Sequence, residues 1–121
     1  MARVPAFPPI VGPSPRLLIL GSLPGVLSLR AGEYYAHPRN AFWPIVCELL
    51  GAEPEQSYRQ RAALLKRHRI ALWDVLQRAT RSGSADAAID VRTAVPNRFG
   101  EFLAAHRSIR CVAFNGRTAA A

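Results

Sequence analysis

Arg16-Leu17-Leu18-Ile19-Leu20-Gly21 decides the fold class. Its short apolar run, closed by a glycine, reads as a buried strand of the kind found in parallel sheets. Two later stretches, Ile70-Ala71-Leu72-Trp73 and Ile109-Arg110-Cys111-Val112-Ala113-Phe114, read as further strands. Helices are expected between them. Asn40 opens one in which Phe42, Trp43, Val46, Leu49 and Leu50 recur at helical spacing, and Gly51 stops it. A second runs from about Ser57 to His68, its Ala62, Leu64 and Leu65 set among arginines. Pro96 and Asn97 open a third, which carries Phe99, Phe102 and Leu103 to about Arg107. The segment from Gly21 to Arg39 reads as one long loop, and residues 80–90 as another. Residues 1–15 hold five prolines and read as an extended N-terminal arm, which leaves 16–121 as the domain. Strands alternating with helices argue for an α/β sandwich around a parallel sheet.

A chain of 121 residues, half of them apolar, suffices for one domain with a modest core. No apolar run approaches the roughly 20 residues of a membrane span. The opening Met1-Ala2-Arg3-Val4-Pro5 lacks the apolar stretch of a secretory signal, so a soluble, cytoplasmic protein is expected. Sixteen basic residues oppose eight acidic ones, and all the basic residues except Lys66 are arginine. The planar guanidinium fork matches phosphate oxygens, which suits a polyanionic partner; a general bias toward arginine would give the same count. Cys47 and Cys111 lie far apart in apolar contexts and read as small core residues. Two thiols do not make an iron–sulfur ligand set, and His37, His68 and His106 are scattered singly. No metal or other cofactor is implied.

In open parallel sheets, ligands bind at the carboxyl ends of strands. Gly21-Ser22-Leu23-Pro24-Gly25 therefore occupies a functional position by topology. It lacks the Gly-Lys-Ser/Thr ending of a nucleoside triphosphate loop and the glycine spacing of a dinucleotide fold. The continuation Glu33-Tyr34-Tyr35-Ala36-His37-Pro38-Arg39-Asn40-Ala41-Phe42-Trp43 crowds aromatic faces, a guanidinium and an amide into one loop. Those are the groups that an extruded base requires.

Gly21-Ser-Leu-Pro-Gly25, Ser28-Leu29 and Tyr34-Tyr-Ala-His-Pro-Arg-Asn-Ala-Phe-Trp43 together resemble the uracil-DNA glycosylase superfamily. The likeness extends to the mismatch-specific uracil/thymine-DNA glycosylases and is stronger to the hypoxanthine-DNA (DNA-deoxyinosine) glycosylases of family 6. Ile70-Ala-Leu-Trp-Asp-Val-Leu76, Pro96-Asn97 with Phe99, and Phe114-Asn115-Gly116 support it less specifically. The resemblance implies a three-layer α/β/α sandwich and monofunctional hydrolysis of the N-glycosidic bond of a deaminated base in DNA, hypoxanthine first and uracil second. A monomer that needs no cofactor is expected. The mismatch-specific relatives hold the attacking water on an asparagine of the first motif; this chain has Ser22 and Leu23 there. The hypoxanthine branch uses the asparagine of its Pro-Arg-Asn stretch, which maps onto Asn40. Asn40 is thus the expected catalytic residue. Tyr35 matches the aromatic that stacks on the base. Gly21, Ser22, Leu23, Pro24 and Gly25 are expected to meet the base edge or adjacent phosphates through backbone groups. Arg39 is expected at a phosphate or the departing base, and Asn115 at the base edge.

Several of these residues have plainer readings. Asn40 precedes a helix and could cap it. Tyr34 and Tyr35 could be half-buried loop aromatics. His37, before Pro38, is expected to set a turn; Asp74, which begins a loop after a strand, could touch the site but is expected to make a loop or capping hydrogen bond. Lys66 gives no amine near the loop, so a strand-cutting lyase is not expected. The family continues beyond Phe-Asn-Gly into a further strand and a duplex-inserting loop. This sequence reads as incomplete at the C-terminus, and Phe114 and its neighbours are expected to be poorly covered. The alternative from another class is a non-catalytic DNA-binding or damage-sensing domain that retains the fold; a domain for free nucleotides is a third.

Overall fold

The computed structural model describes residues 2–5, 7–53, 56–81 and 89–116, with residues 2–5 and 91 as backbone alone. In chain order the elements are β1 (Ala2–Pro5), β2 (Leu17–Gly21), α1 (Val26–Ala31), α2 (Phe42–Leu49), α3 (Tyr58–Arg67), β3 (Ile70–Asp74), β4 (Leu76–Arg81), β5 (Ile89–Pro96), α4 (Phe99–Ala105) and β6 (Cys111–Phe114). The three strands expected from the apolar runs form one parallel sheet in the order β3-β2-β6. Leu17 pairs with Ile70 and Cys111, and Gly21 is the register partner of Asp74.

Alternation along β2 builds a core on each face of this sheet. Leu18 and Leu20 pack with Ala71, Trp73 and Phe102 of α4. Ile19 faces the other way, with Tyr34, Trp43 of α2, Leu65 of α3 and Leu72. Helices on both faces of the sheet make the three-layer α/β/α sandwich. The helix α3 starts at a capping box: Ser57 Oγ accepts from the Gln60 N–H at 3.2 Å and Gln60 Oε1 accepts from the Ser57 N–H at 2.9 Å. The proline-rich segment joins the domain, because Ile10 and Leu72 exchange backbone hydrogen bonds of 2.9 Å along the free edge of β3.

The structure departs from the sequence reading in four places. A second, antiparallel sheet of order β1-β4-β5 occupies the region read partly as loop. Thr80 and Arg81 belong to β4, Ile89 and Asp90 to β5, and residues 82–88 lie outside the described ones. The pairing draws on polar groups, with the Thr80 N–H donating to Thr93 Oγ1 at 2.8 Å. Inside the long Gly21–Arg39 segment, α1 closes against Gly32, whose φ of 68° lies in the left-handed region that glycine tolerates. The helix expected at Asn40 begins at Phe42, and the one expected at Pro96 begins at Phe99, because Pro96 ends β5 instead. Cys47 is buried as expected, whereas Cys111 is exposed on β6. All four residues of β6 are exposed, and Phe114 is 51% accessible, in line with the poor cover expected there.

Candidate functional site

The carboxyl ends of β2, β3 and β6 are drawn together by backbone bonds that leave the ladder. The Asn115 N–H donates to the Leu20 carbonyl at 2.7 Å, and the Val75 N–H to the Gly21 carbonyl at 2.7 Å. Above these ends lies a cavity of about 390 Å³, within the usual size range of small-molecule sites. Gly21, Ser22, Leu23, Pro24 and Gly25 form one wall; Tyr35, Asn40 and Asn115 complete the expected set. Arg39 lies outside it. It lines an adjoining groove, which shares Asn40 and Asn115 with the cavity and adds Phe42, Ile45 and Val46.

The two tyrosines divide their work. Tyr34 is 3% exposed and turned into the core, its hydroxyl donating to the Pro8 carbonyl at 2.9 Å. Its carbonyl accepts from Trp43 Nε1 at 2.7 Å, and its N–H donates to Tyr58 Oη at 3.2 Å. Burial pushes the Tyr34 phenol well above the ordinary tyrosine range, and the Asp74 carboxylate adds to the effect. Tyr58 is raised as well, chiefly by burial, with the Tyr34 N–H pulling the other way. Tyr35 has a φ of 54°, a left-handed backbone that is costly for a bulky side chain. Both tyrosines line the cavity, Tyr34 held by its hydrogen bonds to the core and Tyr35 turned across Gly21. Phe42 stacks on the Tyr35 ring at 4.1 Å between centroids and 28° between planes. The ring is therefore a backed platform.

Asn40 is exposed at the cavity rim. The cap position of α2 falls on Ala41, so Asn40 is not the N-cap by position. Its Oδ1 nevertheless accepts from the Phe42 N–H at 2.9 Å, an Asx turn that leads into the helix and fixes the carboxamide. His37 sets the preceding turn as expected: Nδ1 accepts from the Arg39 N–H at 3.0 Å, and its carbonyl accepts from the Asn40 N–H at 2.9 Å.

Asp74, for which the sequence favoured a loop or capping hydrogen bond over contact with the site, ends β3, is 3% exposed and lines the cavity. Ser28 was quoted only as part of a motif; buried beside the cavity, its Oγ accepts from the Ala36 N–H at 3.1 Å and ties α1 to the loop. Lys66 is exposed on α3 and lines neither the cavity nor the groove. Among the described residues, no cluster of three or more His, Cys, Asp or Glu could hold a metal ion. Among them, too, no helix is long and apolar enough to cross a membrane.

The chain matches the uracil DNA glycosylase superfamily over residues 8–121. It is 37% identical over 112 residues to a hypoxanthine DNA glycosylase of Methanosarcina barkeri (strain Fusaro), covering 92% of this chain and 70% of the relative. A hypoxanthine DNA glycosylase of Methanosarcina acetivorans is 36% identical over 114 residues, covering 93% and 71%. The solution NMR structure of a Methanosarcina acetivorans protein, provisionally described as a uracil DNA glycosylase, superposes with a TM-score of 0.85 at 34% identity, over 98% of this chain and 73% of that one. Sequence, fold and the position of the cavity agree: the chain belongs to the uracil DNA glycosylase superfamily.

Proposed function

We propose that this protein is a DNA glycosylase of base-excision repair that removes a deaminated base, hypoxanthine in preference to uracil, by attack of water. One observation carries the proposal. The Gly21–Gly25 backbone, the loop that carries Tyr35 and Asn40, and Asn115 are three separate chain segments, yet they converge on a single cavity at the strand ends.

The chemistry follows from the groups present. The base leaves the stack and enters the cavity, where Tyr35, backed by Phe42, offers it a face. As the bond from C1′ to the base nitrogen lengthens, positive charge grows on the sugar and negative charge on the base. The Gly21–Gly25 peptides and Asn115 supply dipoles for the base. Asn40 Oδ1, held by the Phe42 N–H, retains a lone pair that can align a water with C1′. A carboxamide does not take a proton at neutral pH, so its part is alignment. Water adds to C1′ and gives up its proton, the base departs as an anion, and protonation on release completes a hydrolysis that leaves an abasic site. Arg39 in the adjoining groove suits a flanking phosphate. No step asks for an amine, in keeping with the remote Lys66.

The test is base release from duplexes carrying hypoxanthine, uracil or a thymine mismatch. Release in that order of rate supports the proposal, and release from uracil alone moves the protein to another branch. Salt-sensitive binding to hypoxanthine or abasic DNA without release would instead support a damage-sensing domain.

A further inference from the structure

Arg81 ends β4 and is 1% exposed, buried beneath the Gly21–Gly25 loop. A guanidinium taken out of water persists only where its donors meet acceptors. One acceptor belongs to the loop itself: Arg81 Nη2 donates to the Pro24 carbonyl. The residues before it dock on the same strand. The Ser22 carbonyl accepts from the Leu76 N–H at 3.3 Å, and Leu23 packs with Ala79 and Ile89. Three consecutive loop residues are thus tied in order to Leu76, Ala79 and Arg81 along β4.

The last tie has a consequence for the cavity. A trans peptide is planar, with its carbonyl and N–H on opposite sides. With the Pro24 carbonyl held toward Arg81, the N–H of Gly25 in the same plane points away from it. Gly25 lines the cavity and Arg81 does not. We infer that Arg81 is a positioning residue: it turns the Gly25 N–H into the cavity as a fixed donor for an anion, the departing base or a phosphate beside it. A methionine could fill the space of the Arg81 stem but would leave the Pro24–Gly25 peptide free to rotate. A lysine would keep the charge and lose the fork. Naming the anion rests on the glycosylase reading; the orientation of the peptide does not.

Arg81→Met and Arg81→Lys, labelled with nitrogen-15, provide two readouts. One is the amide resonance and hydrogen exchange of Gly25 in the free protein. The other is single-turnover release from a hypoxanthine duplex at saturating protein, with the duplex Kd measured separately. Arg81→Met should move the Gly25 resonance and speed its exchange. It should also slow release roughly tenfold or more while Kd stays within about twofold, since the lost donor acts where charge develops. Arg81→Lys should recover part of the rate. If Arg81→Met does not fold, Arg81→Lys carries both readouts, with a smaller loss expected. Release by the folded variant within about twofold of wild type overturns the inference. So does an unchanged Gly25 amide. Should the wild type release no base at all, the glycosylase reading fails, and the Gly25 amide alone decides the role of Arg81.

Discussion

The hydroxyl of Tyr35 stands over the α-carbon of Gly21, 2.6 Å from the place a β-carbon would take. The same place lies 2.8 Å from Asp74 Oδ1. A β-carbon fits there only if both side-chain ends give way, since register pairs Gly21 with Asp74 and the loop brings Tyr35 across. Gly21→Ala should displace both side chains at the floor of the cavity. Overpacking of this kind costs about 1–3 kcal/mol. A shift of the stacking platform should slow base release on the order of a hundredfold. Thermal unfolding and single-turnover release, measured side by side, check whether the loss in rate exceeds the loss of folded protein.

Tyr34 predicts a response to alkali. Burial raises its phenol, and that of Tyr58, above the ordinary value near 10. Above that pH the unfolded chain gives up protons that the folded chain keeps, so stability falls as pH rises. The contribution is complete below about pH 10 and is lost beyond it. Tyr34→Phe removes the hydrogen bond to Pro8 and should cost about 1–2 kcal/mol at neutral pH. Its Tm should then fall less steeply between neutral pH and pH 11 than that of the wild type. Denaturation scans at stepped pH check both parts.

Arg39 is exposed in the groove beside Asn40. If it meets a phosphate, Arg39→Ala should weaken binding to any duplex, damaged or not. The slope of log affinity against log salt should shrink by about 0.9 for the single lost contact. An unchanged slope in fluorescence anisotropy titrations would place Arg39 away from the DNA backbone.

The central strand was legible because Leu17–Leu20 is an uninterrupted apolar run that both faces of a sheet can bury, and Ile70–Trp73 shares that property. The cavity wall was legible through its position at a strand end together with a motif. The β4–β5 pair was not. Gln77 and Arg78 are exposed, Thr80 pairs through its side chain and the buried end of β4 is an arginine, so the run shows no clean apolar alternation. The six-residue α1 was hidden for a related reason: Val26 and Leu27 are exposed, and a segment so short carries little helical period. Asp74 required the register. Its position at a strand end left contact with the site open, but only the pairing sets it beside Gly21. Arg81 was not legible as a site residue, because its bond to the Pro24 carbonyl joins positions far apart in sequence.

Asn40 has a structural part, in the turn into α2, and a proposed catalytic part, and the two can be separated. Serine at 40 can still accept from the Phe42 N–H, which keeps the turn into α2, but it offers no carboxamide to align water. The decisive measurement is single-turnover release of hypoxanthine from a duplex by Asn40→Ser beside the wild type, with Tm recorded for both. The Tm should be nearly unchanged and the rate lower by roughly 10²–10³-fold, the scale of losing one fixed polar group at a reacting centre. Release at the wild-type rate by a folded Asn40→Ser protein would contradict the catalytic part proposed for Asn40.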